Sequence, residues 1–170
     1  MRIALIFFLL PLSIFAQKLN QNDLLRCQKQ ANNVEIIRDI WGIPHIYGKT
    51  DADAVFGLLY AQCEDDFKRV EMNYIEKLGR LAEVSGQKDI YNDLQIRLLI
   101  DSVDAIADYK KAEPWLKKLL NAYADGINFY LHKHPETKPV LLTRFQPWYF
   151  VKNNFIFSCF NFLLISQPYQ

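Results

Sequence analysis

The sequence predicts an α+β fold that is mostly helical and begins with a β-hairpin. Residues 34–39 and 43–47 are rich in Ile and Val, as strands are, and three later segments repeat apolar residues at helical spacing. The chain has 170 residues, of which 51% are hydrophobic, so it can bury one modest core. We therefore expect a single folded region after a targeting segment.

Residues 1–16 have the pattern of a secretory signal peptide. Arg2 supplies a positive charge, an apolar run follows, and Ala16 offers a small residue for cleavage before Gln17. The run is shorter than the ~20 residues that a membrane-spanning helix requires. The sequence thus predicts a periplasmic or secreted protein without a stable membrane span, the alternative being an uncleaved anchor. Residues 17–33 are polar, lack a strong period and are expected to form a poorly ordered lead-in segment.

The predicted hairpin turns at Ile40-Trp41-Gly42, between the two segments that are rich in Ile and Val. Pro44 cannot donate a backbone hydrogen bond, so its strand position should face a sheet edge or a bulge.

The first helix is predicted to start at Thr50, which has the spacing of a capping box with Asp53. Gly79 is expected to weaken or kink this helix, and Gly86 to stop it. Glu76 and Arg80 have the spacing of a helical ion pair. Its apolar face is Leu59, Cys63, Phe67, Val70, Tyr74, Leu78 and Leu81.

Two further helices are predicted. One covers 93–110, and the other begins near Pro114, a favoured first helical residue, and ends at 132–135. The apolar face of the former is Ile96, Leu99, Val103 and Ile106; that of the latter is Leu116, Leu119, Leu120, Tyr123, Ile127 and Leu131. Both faces are expected to pack in a core.

Residues 149–170 differ in composition from the rest of the chain. This atypical apolar tail is rich in Phe, and its apolar core of 155–165 is too short to span a bilayer. A buried strand is the ordinary explanation of such a run. A premature end or a frame slip after Trp148 is the alternative.

Charge and cysteine content argue against nucleic-acid binding and against a disulfide framework. The net charge of +1, with acids and bases interspersed, predicts no nucleic-acid binding. Cys27, Cys63 and Cys159 are far apart and odd in number, so a disulfide framework is not expected, and Cys63 is predicted to be buried.

Three segments in a fixed order resemble motifs of the penicillin acylase family, which includes acyl-homoserine-lactone acylases. They are Gly42-Ile43-Pro44-His45-Ile46, then the segment from Tyr60 to Phe67 with Asp65 at the shared acid, then Tyr123-Ala124-Asp125-Gly126-Ile127-Asn128. Phe145-Gln146-Pro147-Trp148 resembles a fourth motif in compressed form. The resemblance covers about 34–148, the N-terminal α-chain region of the family. The motif residues that we interpret as structural are Gly42, Pro44, His45, Asp65, Tyr123, Asp125 and Gly126.

The resemblance implies both a reaction and a fold. Family members are N-terminal-nucleophile hydrolases with an αββα sandwich fold, whose α chain supplies mainly helices. They cleave N-acyl amide bonds of small molecules with a Ser, Thr or Cys that is exposed at the start of a processed β chain. The α-amine of that residue acts as the base, since it titrates near pH ~8.

No catalytic, cofactor-binding or metal-binding residue of the family can be assigned to this chain. Ser158 and Ser166 lie in the wrong context for the nucleophile, and the ligand of the calcium ion that some members bind is not found. We therefore expect an exported α-chain-like fragment that is inactive without a β chain. The alternatives are a non-catalytic periplasmic acyl-binding module and an interaction domain that docks through its apolar tail.

Several side chains have a functional and a structural interpretation. His45 suits a base, but a hydrogen-bonded structural histidine is the more common case. The run 64–66 suits a hard cation, yet consecutive helical carboxylates diverge, so pairing of one buried carboxylate with Arg38 or Arg69 is favoured. His132 and His134 have a spacing that suits a metal, but they end a helix, where a solvated position is expected. Trp41, Trp115 and Trp148 are candidates for an acyl pocket, with core packing as the default.

Overall fold

The computed structural model of the protein describes residues 19–99 and 101–151. Their elements are listed in chain order at the end of this paragraph. A short 3-10 turn, Gln87–Asp89, precedes α4. The prediction of a mostly helical region with an N-terminal hairpin is confirmed, and the predicted signal peptide and most of the apolar tail lie outside the described residues. The elements are α1 (Gln21–Ala31), β1 (Val34–Arg38), β2 (Pro44–Gly48), α2 (Asp51–Lys77), α3 (Ala82–Ser85), α4 (Ile90–Leu99), α5 (Ser102–Lys111) and α6 (Pro114–Lys133).

Helix α1 occupies most of the segment for which the sequence predicts poor order, and that prediction was wrong. Asn20 caps the helix by accepting a hydrogen bond from the backbone N–H of Asp23 at 2.8 Å. Only Cys27 and Asp23 are buried on α1. Leu24, Cys27 and Ala31 form a short apolar face that packs against a second core cluster. This face is hard to recognise in the sequence because most residues of α1 are polar.

The hairpin is antiparallel, with Ile36 opposite Ile46 and Arg38 opposite Pro44. Pro44 therefore lies at the last pair of the ladder, where its missing N–H costs least, as predicted. Gly42 has φ +80°, a conformation that glycine adopts without strain. The hairpin packs on α2 so closely that a Cβ on Gly57 would lie 2.5 Å from Val34 Cγ1.

Helix α2 begins at the predicted cap, where the backbone N–H of Asp53 donates to Thr50 Oγ1 at 3.3 Å. Its interruption is at Asp66 rather than at Gly79, because Asp66 has non-helical backbone angles (φ −161°, ψ 79°). The Asp66 carboxylate accepts from the backbone N–H of Arg69 at 3.0 Å and so caps the second half of the helix. Gly79, with φ +66°, follows the helix end. Arg80 therefore lies beyond the helix and pairs with Glu83 at 2.7 Å instead of Glu76.

The single helix predicted over 93–110 is two helices, α4 and α5. Asp101 caps α5 by accepting from the backbone N–H of Val103 at 3.0 Å, which favours a new helix start over continuation. Ile96 is buried, but Leu99 and Val103 are exposed, so the predicted apolar stripe is only partly packed. Gly86, with φ +91°, ends α3.

The core lies mainly between α2 and α6. Gly126 on α6 allows this contact, because a Cβ there would lie 2.4 Å from the carbonyl oxygen of Phe56. The buried residues of the main cluster are Leu59, Cys63, Phe67, Tyr74, Ile75, Leu78, Ile127, Tyr130, Leu142 and Phe145. Across 19–99 and 101–151, no helix has the length and apolarity that crossing a membrane requires.

Candidate functional site

The motif on α6 forms the centre of a set of contacts that join distant parts of the chain. Asp125 is buried and accepts two hydrogen bonds from the Arg26 guanidinium of α1, at 2.7 and 2.8 Å. Asn128 exchanges two hydrogen bonds with the backbone of Phe145: its Nδ2 donates to the carbonyl at 2.9 Å and its Oδ1 accepts from the N–H at 2.8 Å. Phe145 begins the fourth motif, so one family motif anchors another. Tyr123 packs edge-on against Tyr74, with ring centres 6.2 Å apart.

The ion pair of Asp125 extends into a network. Arg26 also contacts Asp23 at 2.9 Å, and Asp23 accepts from Arg144 at 2.6 Å. Burial alone would raise the pKa of Asp23, but hydrogen bonds from Arg144 and Arg26 outweigh it and hold the pKa below its usual value. Four charged side chains thus tie α1 to α6 and to the segment that follows it.

Low pH should weaken the ion pairs of Asp23, and comparison with the Asp23→Asn variant measures this effect. A carboxyl group whose pKa is lower in the folded state contributes stability above its unfolded pKa, and this contribution is lost as pH falls through its folded pKa. We expect the wild type to exceed the variant in free energy of unfolding at pH 7, and the difference to shrink below pH ~4. Urea unfolding of both proteins at a series of pH values measures this difference in free energy. A difference that stays constant down to pH ~2 would contradict the prediction.

The hairpin motif is held together by Asp39. Its Oδ1 accepts from the backbone N–H groups of Trp41 at 2.8 Å and Ile43 at 3.0 Å, and Oδ2 lies 3.3 Å from His45 Nε2. The hydrogen bond from Ile43 is the largest of several contributions that lower the pKa of Asp39. His45 is exposed, and its contact with the Asp39 carboxylate agrees with the hydrogen-bonded histidine that the sequence favoured; its structural role stays a prediction.

The carboxylates of the acidic residues 64–66 on α2 do not point toward a common site. Arg38 contacts Asp65 at 2.8 Å and Glu64 at 3.1 Å, whereas Asp66 contacts Arg69 at 3.3 Å. Pairing with Arg38 and Arg69 is confirmed, but the predicted burial is wrong, because all three acids are partly exposed. Among the described residues, no group of three or more His, Cys, Asp and Glu side chains could hold a metal ion.

The two histidines at the end of α6 contact different residues. His134 stacks on Tyr130 and its Nδ1 lies 2.9 Å from Glu136 Oε1, whereas His132 stacks on Phe129. His132 is solvent-exposed and His134 is half-buried, so the expected solvated position at the helix end holds for His132.

The described thiols are not nucleophiles. Burial is the largest contribution that raises the pKa of Cys27 and of Cys63 to about 12, so both stay protonated at neutral pH. The predicted burial of Cys63 is confirmed. Cys159, Ser158 and Ser166 lie outside the described residues.

Two of the three tryptophans do not pack in the core. Trp41 is 81% exposed at the hairpin tip and Trp115 is 63% exposed at the start of α6. Trp148 is partly buried against the main core cluster. Trp115 lines a cavity between α1, α2 and α6, and Trp148 lines a different one.

No pattern in the sequence led us to single out Glu71. Its carboxylate is buried and accepts from three consecutive backbone N–H groups: Val140 at 2.9 Å, Leu141 at 2.7 Å and Leu142 at 2.8 Å. A charged residue at a core position of the helical period is the one signal that could have identified it.

The family model that describes penicillin amidases matches residues 33–169 of the chain. The chain belongs to the penicillin amidase family. The match contains all four motifs and also most of 149–170, the segment that the sequence marked as atypical.

Curated relatives of this penicillin amidase family member are acylases. Acyl-homoserine lactone acylase QuiP of Pseudomonas syringae pv. tomato is 32% identical over 138 residues, which is 79% of this chain and 17% of that protein. Penicillin G acylase of Escherichia coli is 29% identical over 113 residues, or 65% and 13% of the two proteins. The chain therefore spans less than a fifth of the length of these relatives.

The fold agrees with this membership. A solved penicillin G acylase from Alcaligenes faecalis superimposes with a TM-score of 0.64 at 23% identity. The superposition covers 79% of this chain and 76% of that chain, so the two chains are similar in length.

Proposed function

We propose that this chain is the N-terminal, α-chain-like part of an acylase-type amidohydrolase. The observation that carries the proposal is the family match over 33–169, together with a solved penicillin G acylase chain of similar length. The proposed substrate is a small molecule with an N-acyl amide bond, of the acyl-homoserine-lactone or penicillin type, as in the relatives' names.

The proposed role of this chain is to support a nucleophile that another polypeptide carries. The hydroxyl and thiol groups of the described core serve structure: Thr50 caps α2, and Cys27 and Cys63 are buried thiols. One relative, from Pseudomonas sp., is named a proenzyme, which agrees with a nucleophile exposed by processing. The catalytic amine and hydroxyl would then belong to the β chain, and the αββα sandwich would be completed by it.

Exposed apolar side chains support a polypeptide partner. Ile40 is 92% exposed beside Trp41 at the hairpin tip, and Leu98 on α4 is 88% exposed. Exposed apolar surface of this kind is typical of a protein interface. Leu99 and Val103, the members of the predicted stripe that α4 and α5 leave exposed, are further positions that a β chain could cover.

Export is part of the proposal. Cleavage after Ala16 would leave Gln17 as the first residue of a periplasmic or secreted protein. N-terminal sequencing of the exported chain tests this, and an intact Met1 would contradict it.

Activity is tested by expressing the chain alone and together with the polypeptide encoded directly downstream. N-acyl-homoserine lactones and a penicillin are the substrates, and the released amine is measured by mass spectrometry. We expect hydrolysis only with both polypeptides present. Hydrolysis by the purified chain alone would place the nucleophile within it, and no hydrolysis by either preparation would count against an amidohydrolase.

A further inference from the structure

A cavity of about 520 Å³ lies between the C-terminal half of α1, the first turn of α2 and the first half of α6. Arg26 and Asp125, two members of the network described above, form part of its lining. Its volume is in the range that small-molecule sites occupy.

Some of the charged side chains that line the cavity have protein partners among the described residues and others do not. Arg26 is bound by Asp125, and Asp53 is hydrogen-bonded by Thr50 and Asn33. Three further charged side chains line the cavity and form no ion pair within the part of the chain that the structure describes. They are Lys29, Lys118 and Asp51. All three residues are solvent-exposed, so two cations and one anion on three helices are accessible to a ligand as well as to water.

The rest of the lining adds an acceptor and an apolar surface. Gln30 lines the cavity, and its Oε1 is buried without a hydrogen-bond donor among the described residues. A rotation of the terminal amide, which has a broad torsional minimum, would allow a ligand N–H to satisfy it. Trp115 and Leu119 provide the apolar side, and the Trp115 ring is mostly exposed.

We propose that this cavity binds a free amino acid with an apolar side chain. Lys29 and Lys118 take the carboxylate, Asp51 and the Gln30 carbonyl take the ammonium group, and Trp115 with Leu119 takes the side chain. The ligand matches the two unpaired cations and the unpaired anion with opposite charges, and it brings the donor that Gln30 lacks. A simple anion would leave Asp51 and Gln30 without partners.

Isothermal titration calorimetry of the full chain with L-phenylalanine tests the site. We expect saturable binding that weakens roughly tenfold for L-phenylalaninamide, which lacks the carboxylate, and for 3-phenylpropionate, which lacks the amine. Glycine and inorganic phosphate should bind much more weakly than L-phenylalanine. No binding of L-phenylalanine at ~10 mM, or equal binding of phosphate, would overturn the proposal.

Two pairs of variants localise the binding. Lys118→Gln and Asp51→Asn are each expected to weaken L-phenylalanine binding roughly tenfold. Lys138→Gln and Asp104→Asn are the matched controls. Both residues are exposed, and Asp104, like Asp51, is an acid in the first turn of its helix. Circular dichroism confirms that each variant is folded. Binding that is unchanged in both cavity variants, or equally reduced in the controls, would overturn the assignment.

Discussion

Replacing Glu71 by alanine is expected to lower the free energy of unfolding by about 3–5 kcal/mol. The carboxylate is buried and accepts hydrogen bonds from the backbone N–H groups of Val140, Leu141 and Leu142. Alanine leaves these donors without a partner, and that of Leu142 lies in the core. Hydrogen bonds to a charged acceptor also contribute more than neutral ones. Urea unfolding followed by circular dichroism measures the loss, which is a large fraction of the stability of a typical domain.

Two further variants distinguish the loss of the carboxylate's hydrogen bonds from the loss of side-chain packing. Glu71→Gln keeps the size and one acceptor oxygen, which can still accept from Leu141 and Leu142, but it turns an NH2 group toward the N–H of Val140. It should therefore be less stable than the wild type, with a smaller loss than alanine. Glu64→Ala, on the same helix, removes only a pair with Arg38 at an accessible position and should cost under ~1 kcal/mol. If Glu71→Gln were as stable as the wild type, the three hydrogen bonds would not be the cause.

The elements that sequence predicted correctly are those with an apolar period or a strong local signal. The hairpin follows from its β-branched strands and the Gly42 turn, and α6 follows from Pro114 and its stripe. Helix α1 was missed because its apolar face, Leu24, Cys27 and Ala31, is short and lies among mostly polar residues. The break between α4 and α5 was missed because the Asp101 cap competes with a helical stripe that continues through it.

The motif residues could be identified from the sequence, but their partners could not. Asp125 stands out as an acid on an apolar helix, yet its partner Arg26 is 99 residues away along the chain. Asn128 and Phe145 belong to different motifs, and only the fold shows that they bind each other. Spacing along a chain reports contacts within one helix or hairpin, whereas these contacts join elements that pack only after folding.

These long-range contacts give the family motifs a common explanation. Asp125 holds α1, Asn128 holds the segment after α6, and Gly126 between them allows the approach of α2. Three neighbouring residues on α6 therefore fix the positions of three other parts of the chain. A change in this motif should affect the scaffold first and any proposed reaction only through it.

Gly126→Ala is the sharpest test of this explanation. The added Cβ would lie 2.4 Å from the carbonyl oxygen of Phe56 and 3.1 Å from Leu59 Cβ, so α2 and α6 would have to move apart. In a solvent-exposed helix the same change would stabilise by up to ~1 kcal/mol. Here we expect a loss of about 2–4 kcal/mol, because overpacking against backbone cannot be relieved by a rotamer change. Thermal and urea unfolding measure the sign and size of the effect.

Gly57→Ala provides the matched comparison, because its new Cβ would meet side chains instead of backbone. The nearest atoms are Val34 Cγ1 at 2.5 Å and Ile46 Cγ2 at 2.8 Å. Adding Val34→Ala should therefore restore part of the stability lost in Gly57→Ala, whereas Leu59→Ala should restore none of the loss in Gly126→Ala, since the Phe56 carbonyl stays in place. A Gly126→Ala variant as stable as the wild type would show that the helices can separate freely, and the motif would then need a reason other than close packing.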